Sequence, residues 1–311
     1  METPELISII TVNYKQSEVT NAFLDSLRHV TWPAFEIIIV DNNSGTEELD
    51  KLRITDSNVK LIKSDKNLGF AGGNNLGIEH AKGQYLLFLN NDTEVEPGFI
   101  EPLIKLIKSD KSIGMISPKL IYYHSENKSI IQYAGARDIN LLTGRGSKIG
   151  FKAKDTGIYD DTRETCLPHG AAMLVPMDVV KEVGLMPEIY FLYYEEHDWA
   201  EMIKRASYKI YYCGKSEVYH KESISIGKEN PLKIYYMNRN RIIFLRRNAG
   251  FASFISSFLF YTFISLPKNF FNYVLKGKYK FAKTLISAYL WNYTHFNVRQ
   301  NRFLNSGSHK R

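Results

Sequence analysis

The run Tyr85–Leu89 constrains the fold more than any other stretch of the sequence. It is apolar without interruption and ends in a polar turn at residues 90–93, after which Pro97 and its acidic neighbours predict the start of a helix. Such a run is typical of a strand buried on both faces of a parallel sheet. Because ligands collect at the carboxyl ends of these strands, Asp92 is a candidate ligand for a divalent cation that binds phosphates. A solvated loop is the alternative.

The first hundred residues alternate between strand and helix patterns. Strands are predicted at 6–12, 35–40, 59–62 and 84–89, with helices at 17–29 and up to about residue 82. This alternation predicts a doubly wound, mostly parallel α/β sheet. Asp41 ends the second strand and Asp92 the fourth, so both are expected at one edge of the sheet, where one bonds a base or ribose and the other a metal. Turn formation or helix capping is the alternative for each.

The second part of the chain has a different rhythm. Strands are predicted at 113–123, 129–134, 208–213 and 218–220, helices from 177 and over 195–207, and a long polar loop over 137–162. The glycine-rich stretch 69–73 matches neither the dinucleotide-binding nor the nucleoside-triphosphatase loop. Either its backbone N–H groups face a diphosphate at a helix start, or it is a tight turn that needs glycine.

Acidic residues crowd the predicted helix start at residue 195. Glu195, Glu196 and Asp198 exceed the single acid that a helix start needs, and the helix dipole favours their ionised forms. An ionised carboxylate beside a substrate hydroxyl can act as a general base. Helix-start preference is the alternative. His220 ends a predicted strand, where an isolated histidine is usually structural.

The charge of the chain is divided unequally along its length. Residues 1–227 contain 25 basic and 32 acidic residues, whereas residues 228–311 contain 15 basic residues and only Glu229 as an acid. Twenty uncharged residues, many of them aromatic, lie between Arg247 and Lys268. This composition favours helices lying on an anionic membrane surface, with a packed helical subdomain as the alternative. Nucleic-acid binding lacks any base-reading motif, and a homo-oligomer is compatible with the sequence.

The remaining composition indicates an ordinary folded protein. Two cysteines form no disulfide framework, and the apolar run near the N-terminus predicts a first strand rather than a signal peptide. We therefore expect a cytoplasmic protein.

Taken in order, six segments resemble family 2 glycosyltransferases of the GT-A fold, and among them the bacterial rhamnosyltransferase-like branch. The resemblance extends from about residue 7 to residue 247. Its segments are Thr11-Val12-Asn13-Tyr14, Val40-Asp41-Asn42-Asn43-Ser44, Asn67-Leu68-Gly69-Phe70-Ala71-Gly72-Gly73-Asn74-Asn75, Leu89-Asn90-Asn91-Asp92, Tyr194-Glu195-Glu196-His197-Asp198-Trp199 and Tyr235-Tyr236-Met237-Asn238-Arg239-Asn240.

The resemblance implies a role for individual residues. Asp92 and His220 would hold Mg²⁺ or Mn²⁺, with Asn90 in place of the first carboxylate of the family's Asp-x-Asp motif. The base would be Glu196, with Asp198 as the second candidate. The implied acceptor residues are His169, Gly170, Glu195 and Trp199. The implied donor-binding residues are Thr11, Asn13, Asp41, Asn43, Asn67, Gly69, Gly72, Gly73, Asn74, Asn90 and Asn91.

The resemblance also implies the reaction and the domains. We expect an inverting transfer of a sugar, rhamnose from dTDP-rhamnose by preference, to a hydroxyl of a glycan or lipid-linked glycan in bacterial cell-surface polysaccharide synthesis. Residues 1–110 would bind the nucleotide sugar, residues 111–227 would form the acceptor-binding and catalytic half of the same GT-A domain, and residues 228–311 would associate with the inner face of the cell membrane. A catalytically silent nucleotide- or glycan-binding protein on the same fold is the alternative.

Overall fold

The computed structural model describes residues 4–124, 128–140, 145–221 and 230–295. The strands are β1 (Ile7–Asn13), β2 (Phe35–Asp41), β3 (Val59–Lys63), β4 (Tyr85–Leu89), β5 (Thr93–Val95), β6 (Ile113–Tyr122), β7 (Ile131–Tyr133), β8 (Ala136–Asn140), β9 (Arg145–Lys148), β10 (Thr162–Glu164), β11 (Ala172–Pro176) and β12 (Lys209–His220). The helices are α1 (Ser17–Leu27), α2 (Thr46–Leu49), α3 (Gly69–Ile78), α4 (Ile100–Ser109), α5 (Met177–Val183), α6 (Glu195–Arg205), α7 (Pro231–Asn248), α8 (Phe251–Phe260), α9 (Leu266–Leu275) and α10 (Tyr279–Thr294).

One sheet passes through the body of the protein. Its order is β10-β12-β6-β11-β4-β1-β2-β3, and β5 and β7 pair with β12 and β6 at its margins. The strands β4, β1, β2 and β3 run parallel, as do β6 and β12, whereas β11 runs antiparallel between β4 and β6. The mostly parallel α/β sheet predicted from the sequence is therefore confirmed. Since β11 lies between β4 and β6, the sheet continues from the first hundred residues into the second part of the chain.

Helices cover both faces of this sheet because successive strand residues point to opposite sides. On β1, Ile7 and Ile9 belong to the core under α1 and α4, whereas Ile10 belongs to the core under α3, α5 and α6. The central strand β4 alternates in the same way and is buried on both faces, as its apolar run predicts. The polar residues that follow these strands are thereby brought to one edge of the sheet.

Three local predictions from the sequence are wrong. Residues 93–95 form a strand rather than a helix start, because β5 pairs with the end of β12, and α4 begins only at Ile100. The glycines of residues 69–73 lie inside α3 rather than before it. The segment 137–162 is not a single loop, since it contains most of the hairpin β8–β9 and the first residue of β10.

The described C-terminal helices pack against one another. α7 packs against α6, α8 and α10, and α9 packs against α10, with an apolar cluster that α7, α10 and Tyr261 share. α8, a π-helical turn at Tyr261–Ser265 and α9 form one continuous helical stretch, Phe251–Leu275. Among the described residues it is the one helix that is long and apolar enough to cross a membrane. Only 22% of its most apolar 18-residue segment is buried inside the protein.

Candidate active site

A hydrogen-bonded network joins the carboxyl ends of β1, β2 and β4. The Asn91 amide donates to Thr20 Oγ1 at 3.0 Å, and this hydroxyl donates to Asn13 Oδ1 at 2.9 Å. Asn13 Nδ2 donates in turn to Asp41 Oδ1 at 2.9 Å, while the Ser44 N–H donates to Asp41 Oδ2 at 3.0 Å. Three of the predicted donor-binding residues are therefore buried together at one edge of the sheet.

The other predicted donor residues near this edge differ in exposure. Thr11 is buried on β1, and its hydroxyl has no hydrogen-bond partner within the described part of the chain. Asn43 is exposed in a left-handed turn with φ +66°, and Asn90 is half-buried directly after β4.

The loop before α3 is fastened to the end of β2 by Asn42. Its Nδ2 donates to the Gly69 carbonyl at 2.8 Å, and its Oδ1 accepts from the Leu68 N–H at 3.1 Å. Asn67 caps the same turn, since its Oδ1 accepts from the Gly69 N–H at 2.9 Å. Asn74, further along α3, donates back to the Phe70 carbonyl. These amides hold the glycine-rich segment in place.

The glycines themselves are explained by close packing. Gly69 has φ +72°, and a Cβ added there would lie 2.2 Å from the Phe191 carbonyl oxygen. Added Cβ atoms at Gly72 and Gly73 would lie 2.8 Å from Leu68 and 2.9 Å from Val12. The Phe70 N–H donates to the Phe191 carbonyl at 2.7 Å, so the first donors of the helix already bond protein atoms. These contacts support the interpretation that the backbone here needs glycine better than the interpretation that its N–H groups face a diphosphate.

Asp92 and His220 form a buried pair beside β4. Their Oδ1 and Nε2 atoms are 3.1 Å apart, and Gln132 Oε1 lies 2.8 Å from His220 Nδ1. Gln132 thus orients the His220 ring, and the ring and the Asp92 carboxylate bond each other directly. The two atoms lie as far apart as adjacent ligands of an octahedral ion, about 3 Å, so the pair could instead hold Mg²⁺ or Mn²⁺.

The acids at the start of α6 have different surroundings. Asp198 is fully buried, where it accepts hydrogen bonds from Arg247 Nε and from Asn248 Nδ2 on α7. Glu195 is buried too, and burial together with the charge of Glu196 raises the pKa of its carboxyl well above the ordinary value. Glu196 is partly exposed, and its Oε2 has no hydrogen-bond partner in the described chain. Of the three, Glu196 is the acid best placed to receive a proton from a substrate.

The dipeptide His169–Gly170 lies between the pair and this acid. The His169 ring contacts the His220 ring at 5.9 Å between centroids, and a Cβ added at Gly170 would lie 3.5 Å from the Glu196 carboxyl. His169 Nδ1 accepts from the Ala171 N–H, and burial followed by the charge of Lys148 lowers the pKa of the imidazole. His169 is therefore neutral and carries its proton on Nε2. The structure thus brings the predicted metal ligands and the predicted base to the same place.

Trp199, which we expected on the acceptor side, lies elsewhere. Its ring is fully buried in the core under α6, packed edge-on against Phe88, and its indole N–H donates to the Gly184 carbonyl at 2.9 Å. A side chain in that position contacts no acceptor, so we leave it out of the site.

Comparison of the sequence with known proteins identifies the family. The family model for glycosyl transferase family 2 matches residues 8–167, just over half of the chain. The chain belongs to this family.

Relatives of this glycosyltransferase carry related names. It is 27% identical over 270 residues to the low-salt glycan biosynthesis hexosyltransferase of Haloferax volcanii, covering 84% of this chain and 81% of the relative. It is 23% identical over 271 residues to the N-acetylglucosaminyl-diphospho-decaprenol L-rhamnosyltransferase of Mycobacterium tuberculosis, covering 79% and 86%. Family and relatives together support a role in glycosyl transfer.

Solved structures share the fold of this glycosyltransferase. GalNAc-T7, solved with UDP, GalNAc and Mn²⁺, aligns with a TM-score of 0.60 and 18% identity over 82% of this chain and 54% of its own. The mannosyltransferase of Pyrobaculum calidifontis, solved with GDP-mannose and Mn²⁺, aligns with a TM-score of 0.57 and 12% identity over 93% and 75%. The predicted GT-A fold is confirmed.

A second acidic cluster in the glycosyltransferase is already neutralised. Asp155, Asp160 and Glu217 lie close enough together to hold a metal ion, but the ammonium of buried Lys119 lies 2.6–2.7 Å from an oxygen of each. Although burial lowers the pKa of Lys119, the three carboxylates raise it well above its ordinary value. Lys119 therefore takes the place of a cation, and we do not assign a metal there.

Several residues of the site were not singled out by the sequence. Thr20 connects two predicted donor residues but lies on α1, where its spacing is that of an ordinary helix residue. Gln132 orients His220 from β7, and no local pattern connects them. Asn42 and the pair Arg239 and Asn240 lie within the segments that carry the family resemblance, which was the one available signal.

Proposed function

We propose that the protein is an inverting, metal-dependent glycosyltransferase that moves a sugar from a nucleoside diphosphate sugar to a hydroxyl. The proposal depends above all on His169–Gly170, because the His169 ring contacts His220 and Gly170 leaves space for a side chain only 3.5 Å from the Glu196 carboxyl. A diphosphate held at the pair and a hydroxyl held at Glu196 would meet across this dipeptide.

The donor would occupy the carboxyl edge of β1, β2 and β4. Asp41 and Asn43 would bond the base or ribose, because Asp41 is already oriented by Asn13 and Ser44. Thr11, Asn90 and Asn91 lie at or near the same edge, while Asn67, Gly69, Gly72, Gly73 and Asn74 would support the donor site through α3. Mg²⁺ or Mn²⁺ held by Asp92 and His220 would supply positive charge that stabilises the leaving diphosphate.

Glu196 would act on the acceptor. Its partly exposed carboxylate would take the proton of the acceptor hydroxyl while the hydroxyl oxygen attacks the anomeric carbon from the face opposite the diphosphate, which gives inversion in one displacement. His169, through Nε2–H, and Gly170 would contact the acceptor. Glu195, whose pKa burial and the charge of Glu196 raise, would lie behind Glu196.

Rhamnose from dTDP-rhamnose is the donor that we favour, and a lipid-linked glycan is the acceptor. The name of the Mycobacterium tuberculosis relative, a rhamnosyltransferase acting on a decaprenol diphosphate, supports both choices. Residues 1–110 would bind the donor and residues 111–227 the acceptor.

The C-terminal region would keep the enzyme at the inner face of the cell membrane. The Phe251–Leu275 stretch exposes Phe251, Phe263 and Leu275 at 83%, 71% and 86% of their surfaces. Basic residues outnumber acids 15 to one in residues 228–311, which matches an anionic lipid surface in charge.

Thermal unfolding of the full chain with a panel of UDP-, GDP- and dTDP-sugars, with and without Mn²⁺, tests the proposal. We expect one nucleotide to raise the unfolding midpoint only with metal, since a ligand that binds the folded state stabilises it. Asp92→Ala should remove that metal-dependent shift and abolish turnover. Binding of a donor without any release of nucleoside diphosphate would favour the silent binding protein instead.

A further inference from the structure

The segment that leads into α6 has an unusual backbone. Phe191, Tyr193 and Tyr194 have φ values of +64°, +69° and +78°, and none of them is glycine. Bulky side chains disfavour this left-handed region, so such a run persists only where its surroundings hold it. Tyr194 is the N-cap of α6, and Glu196 lies in the first turn of that helix. The orientation of Glu196 therefore depends on this strained segment.

Asn240 on α7 binds the carbonyls of the strained segment. It is fully buried, and its Nδ2 lies 3.0, 2.8 and 2.7 Å from the carbonyl oxygens of Tyr190, Leu192 and Tyr193. One amide group thus bonds three carbonyl oxygens that in a regular helix or strand would bond backbone N–H groups. A change in the backbone conformation of these residues would break those hydrogen bonds.

Arg239 adds a second layer of donors. Its Nη2 donates to the carbonyls of Ile189 and Tyr190 at 2.6 and 2.8 Å, and its Nε donates to Asn240 Oδ1 at 2.8 Å. The last bond orients the Asn240 amide so that its NH₂ group points at the segment.

Arg239 bonds these carbonyls and, in the described ranges, forms no ion pair within 4.0 Å, although its charge opposes the rise in the pKa of Glu195 that burial causes. Its guanidinium lies over the rings of Tyr236 and Trp291, 4.8 and 4.7 Å from their centroids. The aromatic rings restrict the plane of the guanidinium, which suits a residue that must aim several N–H groups at fixed oxygens.

We propose that Arg239 and Asn240 are positioning residues for catalysis: they hold the 189–193 carbonyls and so fix the Tyr194 turn from which Glu196 projects. This inference rests on the proposed function of Glu196. Neither residue contacts the predicted donor or acceptor residues in the hydrogen bonds described, so their effect on turnover passes through the backbone of this segment.

Asn240→Asp tests the proposal with the smallest change of shape. The carboxylate replaces the donating NH₂ by an acceptor that faces three carbonyl oxygens. We expect faster amide hydrogen exchange in peptides covering residues 188–194. With the donor that the nucleotide-sugar panel identifies, kcat should fall about a hundredfold, because Glu196 would be misplaced relative to the acceptor hydroxyl. The KM for the donor should stay near its wild-type value.

Asn21→Asp is the matched control. Asn21 is equally buried on α1, and its Nδ2 donates to the Lys51 carbonyl at 2.9 Å rather than to the strained segment or to α7. It should lose stability to a similar extent but keep wild-type exchange in residues 188–194 and wild-type kcat. Should Asn240→Asp prove unable to fold, Arg239→Lys keeps the cation over the two rings, loses the forked donors, and should show the same changes to a smaller degree.

The outcomes separate the alternatives. Unchanged exchange at residues 188–194, faster exchange with unchanged kcat, or an equal loss of kcat in Asn21→Asp would each overturn the positioning role. The exchange measurement needs no substrate. A wild-type chain that turns over no donor would therefore contradict the proposed function, while exchange would still decide whether Arg239 and Asn240 hold the segment.

Discussion

At the scale of single residues, the acids of α6 differ in what their oxygens already contact. Both oxygens of Asp198 accept hydrogen bonds from α7. Glu195 and Glu196 each have an Oε2 without a hydrogen-bond partner among the described residues, but Glu195 is buried whereas the side chain of Glu196 is partly exposed. Adjacent helix residues diverge by about 100°, so the three carboxyls cannot converge on one hydroxyl. Their roles should separate on substitution.

Glu196→Gln should lower turnover by about two to four orders of magnitude, because an amide cannot accept the acceptor's proton. Binding of the nucleotide with metal should survive, since that ligand is placed at Asp92 and His220. Turnover of the identified donor and calorimetric titration with the nucleoside diphosphate measure the two effects separately.

Asp198→Asn is the companion variant. It removes one charge of a buried pair with Arg247 and should lower the free energy of unfolding by roughly 3 kcal/mol, with a smaller effect on kcat. A severe loss of kcat in Asp198→Asn beside an active Glu196→Gln would assign the base to Asp198.

Glu195 should make stability depend on pH. Its pKa is raised in the folded protein above the ordinary 4.5 by burial and by Glu196. As pH rises past that value, the unfolded chain releases this proton while the folded chain retains it, so folding becomes less favourable. Glu195→Gln cannot titrate, and its stability relative to the wild type should therefore increase as pH rises from below 4.5 towards neutrality.

Urea unfolding of both proteins at several pH values measures this difference. A stability difference that stays constant with pH would show that the Glu195 carboxyl titrates alike in the folded and unfolded chains.

At the scale of elements, the glycines of α3 serve close packing of the helix against its neighbours. We expect Gly69→Ala to lower the free energy of unfolding by more than about 1–2 kcal/mol, since alanine disfavours φ +72° and its Cβ would overlap the Phe191 carbonyl. Gly98→Ala is the control, because a Cβ there would meet only Glu101 Oε2 at 4.0 Å. Chemical denaturation measures both. Equal stability of the two variants would mean that the loop before α6 moves at little cost in free energy. That result would contradict the close packing of this loop against Gly69.

The sequence predicted those elements whose signal is local. β1, β2 and β4 have apolar runs that end in turn residues, and their parallel direction follows from the βαβ alternation. β5 was missed because it exists only through its pairing with the end of β12, more than a hundred residues later. For the same reason, the sequence did not show that Gln132 orients His220 or that α7 holds the segment before Glu196. The resemblance named the residues, whereas the contacts needed the fold.

At the scale of the whole molecule, α7 joins two surfaces. Its Arg239 and Asn240 bind the segment before α6, while the Tyr261 hydroxyl of the exposed helical stretch donates to Asn238 Oδ1 at 2.9 Å. Among the described helices of this region, α7 and α10 pack as the alternative of a helical subdomain expects, while association of the Phe251–Leu275 stretch with a membrane stays a prediction. Deleting residues 228–311 would remove both, so membrane binding is better tested by surface substitutions.

Binding to vesicles should require both the charge and the apolar side chains of this region. We expect binding of the wild type to increase with the fraction of anionic lipid and to weaken with salt, because residues 228–311 contain 15 basic residues and only one acidic residue. Phe263→Ser and Leu275→Ser should each weaken binding roughly tenfold, since burying such a side chain is worth about 1.5–3 kcal/mol. Ile158→Ser, an equally exposed apolar residue on the body, should have no effect. Equal binding to neutral and anionic vesicles, or no binding at all, would point instead to a packed subdomain. Equal loss in all three variants would show that binding does not depend on the Phe251–Leu275 stretch.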